Sequence, residues 1–178
     1  NEGSLANLRN RFETAFTRYL GAERTIWLTG DAIEGDDTDG HIDQLVRFTD
    51  ATTLVYAWCD PDNAQHPSLS KNLADLKAGL DQLETTFQLV ALPIPSQAIE
   101  FFGRRVPASY CNFLITNELI VVPQFGCPED GPALEILKPL FPDRYVVGLP
   151  SRNLAVGLGS FHCLSQQQPQ INLGAIKS

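Results

Sequence analysis

The chain has 178 residues, 43% of them hydrophobic and 19% charged, with a net charge of −8. That size and composition suit one globular domain with a sizeable core. The acidity, with no basic stripe to neutralise phosphates, argues against nucleic acid as a partner, and no apolar run approaches the roughly 20 residues of a membrane-spanning helix.

Asn1-Glu2-Gly3-Ser4 lacks the basic and apolar pattern of a secretion signal, and the sequence contains no methionine. A processed product or a piece of a longer protein is therefore expected. Cys59, Cys111, Cys127 and Cys163 are too few and too scattered for a disulfide framework, and none forms a CxxC pair. A reducing cytoplasm is the expected location.

The first predicted element is a helix from about Ser4 to Leu20, with Leu5, Leu8, Phe12, Phe16 and Leu20 on one apolar face and Gly21 as its stop. A short strand, Thr25 to Leu28, follows. An acidic loop from Asp31 to Asp43 then precedes a hairpin with strands near Gln44–Phe48 and Thr53–Trp58. A polar turn, Asp60 to Ser70, leads into a second helix, Leu73 to Leu83, and a strand, Phe87 to Pro93. The order then recurs: a loop to Ala108, a hairpin of Tyr110–Thr116 and Leu119–Pro123, a helix from about Pro132 to Leu140, and a strand from Arg144 to Pro150. Pro139 and Pro142 should end that third helix early. The pattern is an internal repeat of helix, strand, loop and hairpin. Units of this kind bury one face each and need neighbours to close a core, so a ring with further units outside the chain is expected.

Three histidines can be weighed one by one. His66, in a polar turn ahead of Pro67, reads as a surface residue. His162 adjoins Cys163, and on an extended segment neighbouring side chains point to opposite faces, so these two are not expected to pair. His41 closes the run Gly35-Asp36-Asp37-Thr38-Asp39-Gly40-His41 and is followed by Ile42-Asp43. A solvated acidic loop is the ordinary reading of that run. The calcium-loop pattern fails, because aligning Gly40 as its glycine puts Gly35 at the first position and Val46 at the twelfth. A zinc site would want three or four His or Cys ligands, and His41 is the lone local one, so no metal is expected. A strand opening at His41-Ile42-Asp43 would instead aim an imidazole and a carboxylate at one ligand. Cys163 follows Gly157 and Gly159, which let backbone approach closely. It reads either as an inert core cysteine or as a nucleophile.

Three blocks resemble one known family. Gly35 to Asp43 resembles the DDTxGHxD stretch of the agmatine deiminase and bacterial-type peptidylarginine deiminase family. Gly103-Arg104-Arg105-Val106-Pro107-Ala108-Ser109-Tyr110-Cys111-Asn112-Phe113 resembles its GxRxPASYxNF segment. Gly157-Leu158-Gly159-Ser160-Phe161-His162-Cys163-Leu164-Ser165-Gln166-Gln167 resembles its terminal GxGxxHCxTQQ signature, with Ser165 where many members have threonine. The blocks come in the family's order and span nearly the whole chain.

The resemblance implies an α/β fold, a partial five-bladed α/β propeller (pentein), with residues 1–178 as the C-terminal half of one propeller domain. By the same match Cys163 is the nucleophile that becomes an amidino-cysteine, His41 the general acid/base, and Asp43 a guanidinium-binding carboxylate. No cofactor is implied. The implied partners are a small cationic guanidine substrate and the missing N-terminal half, whose carboxylates also serve the family's site; assembly of identical copies is left open. The implied reaction is hydrolysis of agmatine to N-carbamoylputrescine and ammonia, with peptidyl or free arginine as the alternative substrate. A non-catalytic guanidine-binding scaffold and, more remotely, a metal-binding acidic domain are the readings of other classes.

Overall fold

The computed structural model describes residues 4–37 and 40–168; Thr38 and Asp39 of the acidic loop lie outside the described residues. Helix α1 runs Leu5–Leu20, with the Ser4 hydroxyl accepting from the Asn7 amide and Gly21 closing its last turn, as the sequence pattern predicts. No helix among the described residues is long and apolar enough to cross a membrane.

Two complete units follow, built alike. In the first, β1 (Val46–Phe48) pairs antiparallel with β2 (Thr53–Trp58), α2 (His66–Leu80) crosses over, and β3 (Gln88–Pro93) pairs parallel with β2. A small hairpin of β4 (Glu100–Phe101) and β5 (Arg104–Arg105) lies in the connection. In the second, β6 (Leu114–Ile115) and β7 (Leu119–Gln124) form the hairpin, α3 (Asp130–Leu137) crosses over, and β8 (Tyr145–Pro150) pairs parallel with β7. Each unit is thus its own three-stranded mixed sheet with the middle strand second in sequence. Helix α3 ends where Lys138–Leu140 tightens into a 3-10 turn around Pro139, as the missing proline N–H requires.

The two sheets share one core. Val55 and Leu92 from the first unit meet Phe113, Ile120 and Leu137 from the second, all fully buried. Tyr110, also fully buried, donates its hydroxyl to Asp130, the first residue of α3, which also accepts from the amides of Phe125, Gly126 and Cys127 in the turn ahead of the helix. The turn ahead of β6 is thereby anchored to the following helix.

The structure corrects four sequence expectations. Thr25–Leu28 forms no ladder among the described residues. In both complete units the strand after the helix pairs with the strand before it; a strand ahead of α1 is not among the described residues, so Thr25–Leu28 has no edge to join. For the same reason the apolar face of α1 finds little cover: Leu5 and Leu20 are 65% and 74% exposed, and Phe12 rests edge-on against Trp27. Helix α2 begins at His66 rather than near Leu73, because Pro67 suits a first helical turn. His66 is accordingly half-buried rather than free on the surface; its ring lies 4.8 Å from that of Trp58 and bonds the Cys59 carbonyl and Ser70 hydroxyl. Finally, Ile42–Gln44 is a 3-10 turn rather than the opening of a strand.

The early start of α2 has a consequence for the acidic loop. Gln65, Ser68, Asn72 and Asp75 recur at helical spacing and form one polar stripe, which holds the loop backbone. Asp75 accepts from the Thr29 amide and hydroxyl, Asn72 from the Gly30 amide, Ser68 from the Asp31 amide and Gln65 from the Glu34 amide. On the far side Glu34 pairs with Arg105 and Asp37 with Arg104. Between them Gly35 adopts φ +93°, and a Cβ there would sit 2.8 Å from the Val106 carbonyl carbon. Gly35→Ala should therefore destabilise the fold by about 1–3 kcal/mol, read as a lower urea midpoint at unchanged slope. A midpoint equal to that of the parent would show the loop is not pinned at this position.

Candidate active site

Three chain segments meet at one point: the turn Ile42–Gln44 ahead of β1, the turn Tyr110–Asn112 ahead of β6, and the turn around Cys163. The first two occupy the same place in their units. Ser109 ties them by donating its hydroxyl to the Gln44 carbonyl at 2.6 Å. The third folds back tightly at Gly159, where a Cβ would lie 2.5 Å from the Cys163 Cβ and 2.7 Å from its Sγ. Close approach does govern that glycine, but the approach is to the cysteine itself.

Asn112, fully buried, joins the three. Its Nδ2 donates to Cys163 Sγ at 3.0 Å and to Asp43 Oδ2 at 2.9 Å. Its Oδ1 accepts from the amides of Ser160 at 2.9 Å and Cys163 at 3.3 Å. The Cys163 thiol donates to the same Asp43 Oδ2 at 3.2 Å. His162 Nδ1 reaches that oxygen too, at 2.5 Å. Among the described residues no protein donor is recorded on the other carboxylate oxygen, Oδ1.

His41 completes the group. Its side chain is exposed, its amide donates to Asp36 Oδ2 at 3.2 Å, and one ligand atom each from His41, Asp43 and Cys163 lie within 4.8 Å of one another. The structure thus brings together all three residues singled out from the sequence. They are also the set among the described residues that could hold a metal ion, but holding one would engage the same thiol, imidazole and carboxylate.

Two residues were not foreseen. An extended segment would point His162 away from Cys163; residues 161–164 instead form a turn, which swings its ring onto Asp43. Asn112 lies within the second motif block, and its burial, which gives it its role, is not legible in the sequence.

The surroundings of Cys163 favour the protonated thiol. Burial alone would push the Asp43 carboxyl up, but hydrogen bonds from His162, Cys163 and Asn112 bring it below its ordinary value. Asp43 therefore stays an ionised acceptor and does not take the thiol's proton. Burial pushes the Cys163 thiol up, and the hydrogen bond and charge of Asp43 push it further, with Asn112 opposing them. Behind the site Arg47 donates to the carbonyls of Cys111 and Phe113, at 3.2 and 2.8 Å, on either side of Asn112, and lies over the Phe113 ring. Burial lowers its pKa, partly offset by the charge of Asp43.

Known proteins share this fold. A family profile described as Porphyromonas-type peptidyl-arginine deiminase matches residues 6–169. The agmatine deiminase of Pseudomonas fluorescens is 35% identical over 179 residues, 90% of this chain and 48% of the relative. A crystal structure from Porphyromonas gingivalis, described as a candidate arginine deiminase, superposes with a TM-score of 0.82 at 37% identity, covering 96% of this chain and 50% of its own. A substrate-bound agmatine deiminase from C. jejuni superposes with a TM-score of 0.78 at 32% identity, covering 91% and 47%. The chain spans about half the length of the curated relatives it matches. The expected fold class, a partial α/β propeller, is what it shares with them.

Differential thiol labelling checks the site. Cys163 is exposed, Cys59 half-buried, and Cys111 and Cys127 buried, with the Cys111 thiol pushed up to about 12 by burial. Iodoacetamide should modify Cys163 first in the folded chain and leave Cys111 untouched. Because the Cys163 pKa is raised, its thiolate is scarce near neutral pH, and the labelling rate should climb with a midpoint above the ordinary cysteine value of about 8.5. Peptide mapping against pH reads both; a midpoint below that value would contradict the electrostatics.

Proposed function

We propose that this chain, which belongs to the Porphyromonas-type peptidyl-arginine deiminase family, is the C-terminal half of a guanidine deiminase acting on agmatine. The observation that carries the reading is the convergence of His41, Asp43 and Cys163 within 4.8 Å. Relatives named agmatine deiminase support the substrate.

A guanidinium is a planar cation rich in N–H donors, with a resonance-stabilised and poorly electrophilic carbon. Asp43 Oδ1 accepts one of its N–H groups in a charge-assisted bond that fixes the plane. The bound cation then favours ionisation of the Cys163 thiol, whose proton passes to His41. Sulfur attacks the central carbon, the C–N bond to one amino group breaks, and protonated His41 gives its proton to the departing ammonia. The covalent thiouronium that remains is attacked by water as His41 takes a water proton. The C–S bond then breaks, the hydroxyl proton of the adduct passes to the departing thiolate as the ureido product leaves, and His41 gives its proton to solvent, where the ammonia becomes ammonium. One histidine serves both halves, since an imidazole nitrogen can take up a proton in one step and give it back in the next.

N-terminal residues complete the site in this reading. They supply further carboxylates around the guanidinium and cover the apolar face of α1. Four free cysteines suit a reducing cytoplasm. Deimination of free or peptidyl arginine shares every step above, and the Porphyromonas gingivalis likeness keeps it as the second reading.

Mass spectrometry and ammonia release, on variants and on separate halves, test the proposal. Intact mass of the two-half protein after incubation with agmatine, arginine and an arginyl peptide should show an amidino adduct on Cys163 and ammonia release with agmatine. Cys163→Ala should abolish turnover while preserving the fold, and full turnover by that variant would refute the assignment. The 178-residue chain alone should be slower by roughly three orders of magnitude or more, since losing each buried charge partner costs a few kcal/mol of barrier. Mixing in the N-terminal half should restore ammonia release.

A further inference from the structure

We infer that His162, the residue beside the nucleophile, is a positioning residue that locks the Asp43 carboxylate with Oδ2 turned inward and Oδ1 offered to the ligand. The inference rests on the reading of Asp43 as the ligand's anchor.

The backbone of His162 is held at both its amide and its carbonyl. Its backbone amide donates to the Asn112 carbonyl at 3.2 Å, and its own carbonyl accepts from the Ser165 amide at 3.0 Å and hydroxyl at 2.8 Å. With the backbone pinned, the ring turns onto Asp43 at 2.5 Å through Nδ1. An ionised carboxylate only accepts, so Nδ1 carries the proton whichever state Nε2 adopts.

An aspartate carboxylate rotates easily, because its terminal torsion is broad and two-fold. Two donors from separate turns stop that rotation here: Asn112 Nδ2 from the turn ahead of β6 and His162 Nδ1 from the turn around Cys163. With His162 removed, Asn112 is the one fixed donor left, and the thiol can follow either oxygen. The carboxylate then binds the thiol proton more strongly and presents Oδ1 less often. His41 approaches from the exposed side and Arg47 lies behind the Asn112 turn, so neither replaces the missing contact.

The test compares His162→Ala, His162→Phe and His162→Asn. An asparagine amide can place an N–H where Nδ1 stood but cannot titrate; alanine and phenylalanine place none, and phenylalanine keeps the bulk of a ring should alanine fail to fold. The first readout needs no substrate: the pH profile of Cys163 alkylation in the chain as it stands. Alanine and phenylalanine should move the midpoint upward by about half a unit, roughly a threefold loss of thiolate near neutral pH, and asparagine should restore it. In the two-half protein the same donor-less variants should raise KM for agmatine by about tenfold or more, with asparagine within about threefold of the parent. An unshifted profile in the donor-less variants overturns the inference. So does an asparagine variant as impaired as alanine, which would make the imidazole itself the acting group. If the parent protein turns over no guanidine while the alkylation pattern holds, the substrate reading fails and the positioning role stands.

Discussion

A single buried carboxamide holds this site together. Asn112 has no access to solvent, so each of its hydrogen-bonding atoms must find a partner or bear the cost of desolvation. Its Nδ2 is satisfied by a thiol and a carboxylate, and its Oδ1 by two backbone amides of the cysteine turn. Those four partners belong to two segments far apart in sequence. The amide therefore sets where the turn around Cys163 stops and where Asp43 points. Everything around it restrains that one side chain: Arg47 grips the carbonyls on either side, and Tyr110 anchors the same turn to Asp130 and α3.

The repeated unit explains why chemistry collects there. Asp43 and Asn112 stand in equivalent 3-10 turns, each just ahead of the first strand of its unit. Placing two like turns side by side around a shared core brings one functional residue from each to the same point, with no long loop reaching across the molecule. The core that does this is shared by both sheets, Phe113 and Ile120 from one against Val55 and Leu92 from the other. The acidic loop is an addition to this plan, fastened by the polar stripe of α2 on one side and by Arg104 and Arg105 on the other.

Electrostatics then separates the resting thiol from a reactive one. Most activated cysteines sit beside a permanent cation; Cys163 sits beside an anion, which holds its proton on. The nearby fixed cation, Arg47, is occupied with backbone carbonyls. A positively charged ligand is what this arrangement lacks, and the chemistry proposed for the site supplies one with its own substrate.

Sequence alone determined the local parts. Helical spacing and its stop marked α1, β-branched and apolar runs marked β2, β3, β7 and β8, and Pro139 marked the end of α3, because these depend on neighbouring residues. Two of the three motif blocks named His41, Asp43 and Cys163. Pairing and orientation were decided only by tertiary structure. Whether Thr25–Leu28 becomes a strand depends on an edge supplied from elsewhere, and whether the face of α1 is buried depends on what packs against it. His162 looked remote from the site while its segment was read as extended; a turn that exists through contacts of Ser160, His162 and Cys163 with Asn112 reversed that. Asn112 itself is an unremarkable polar residue in a string of letters, and it becomes the keystone only where burial leaves its amide no water to bond.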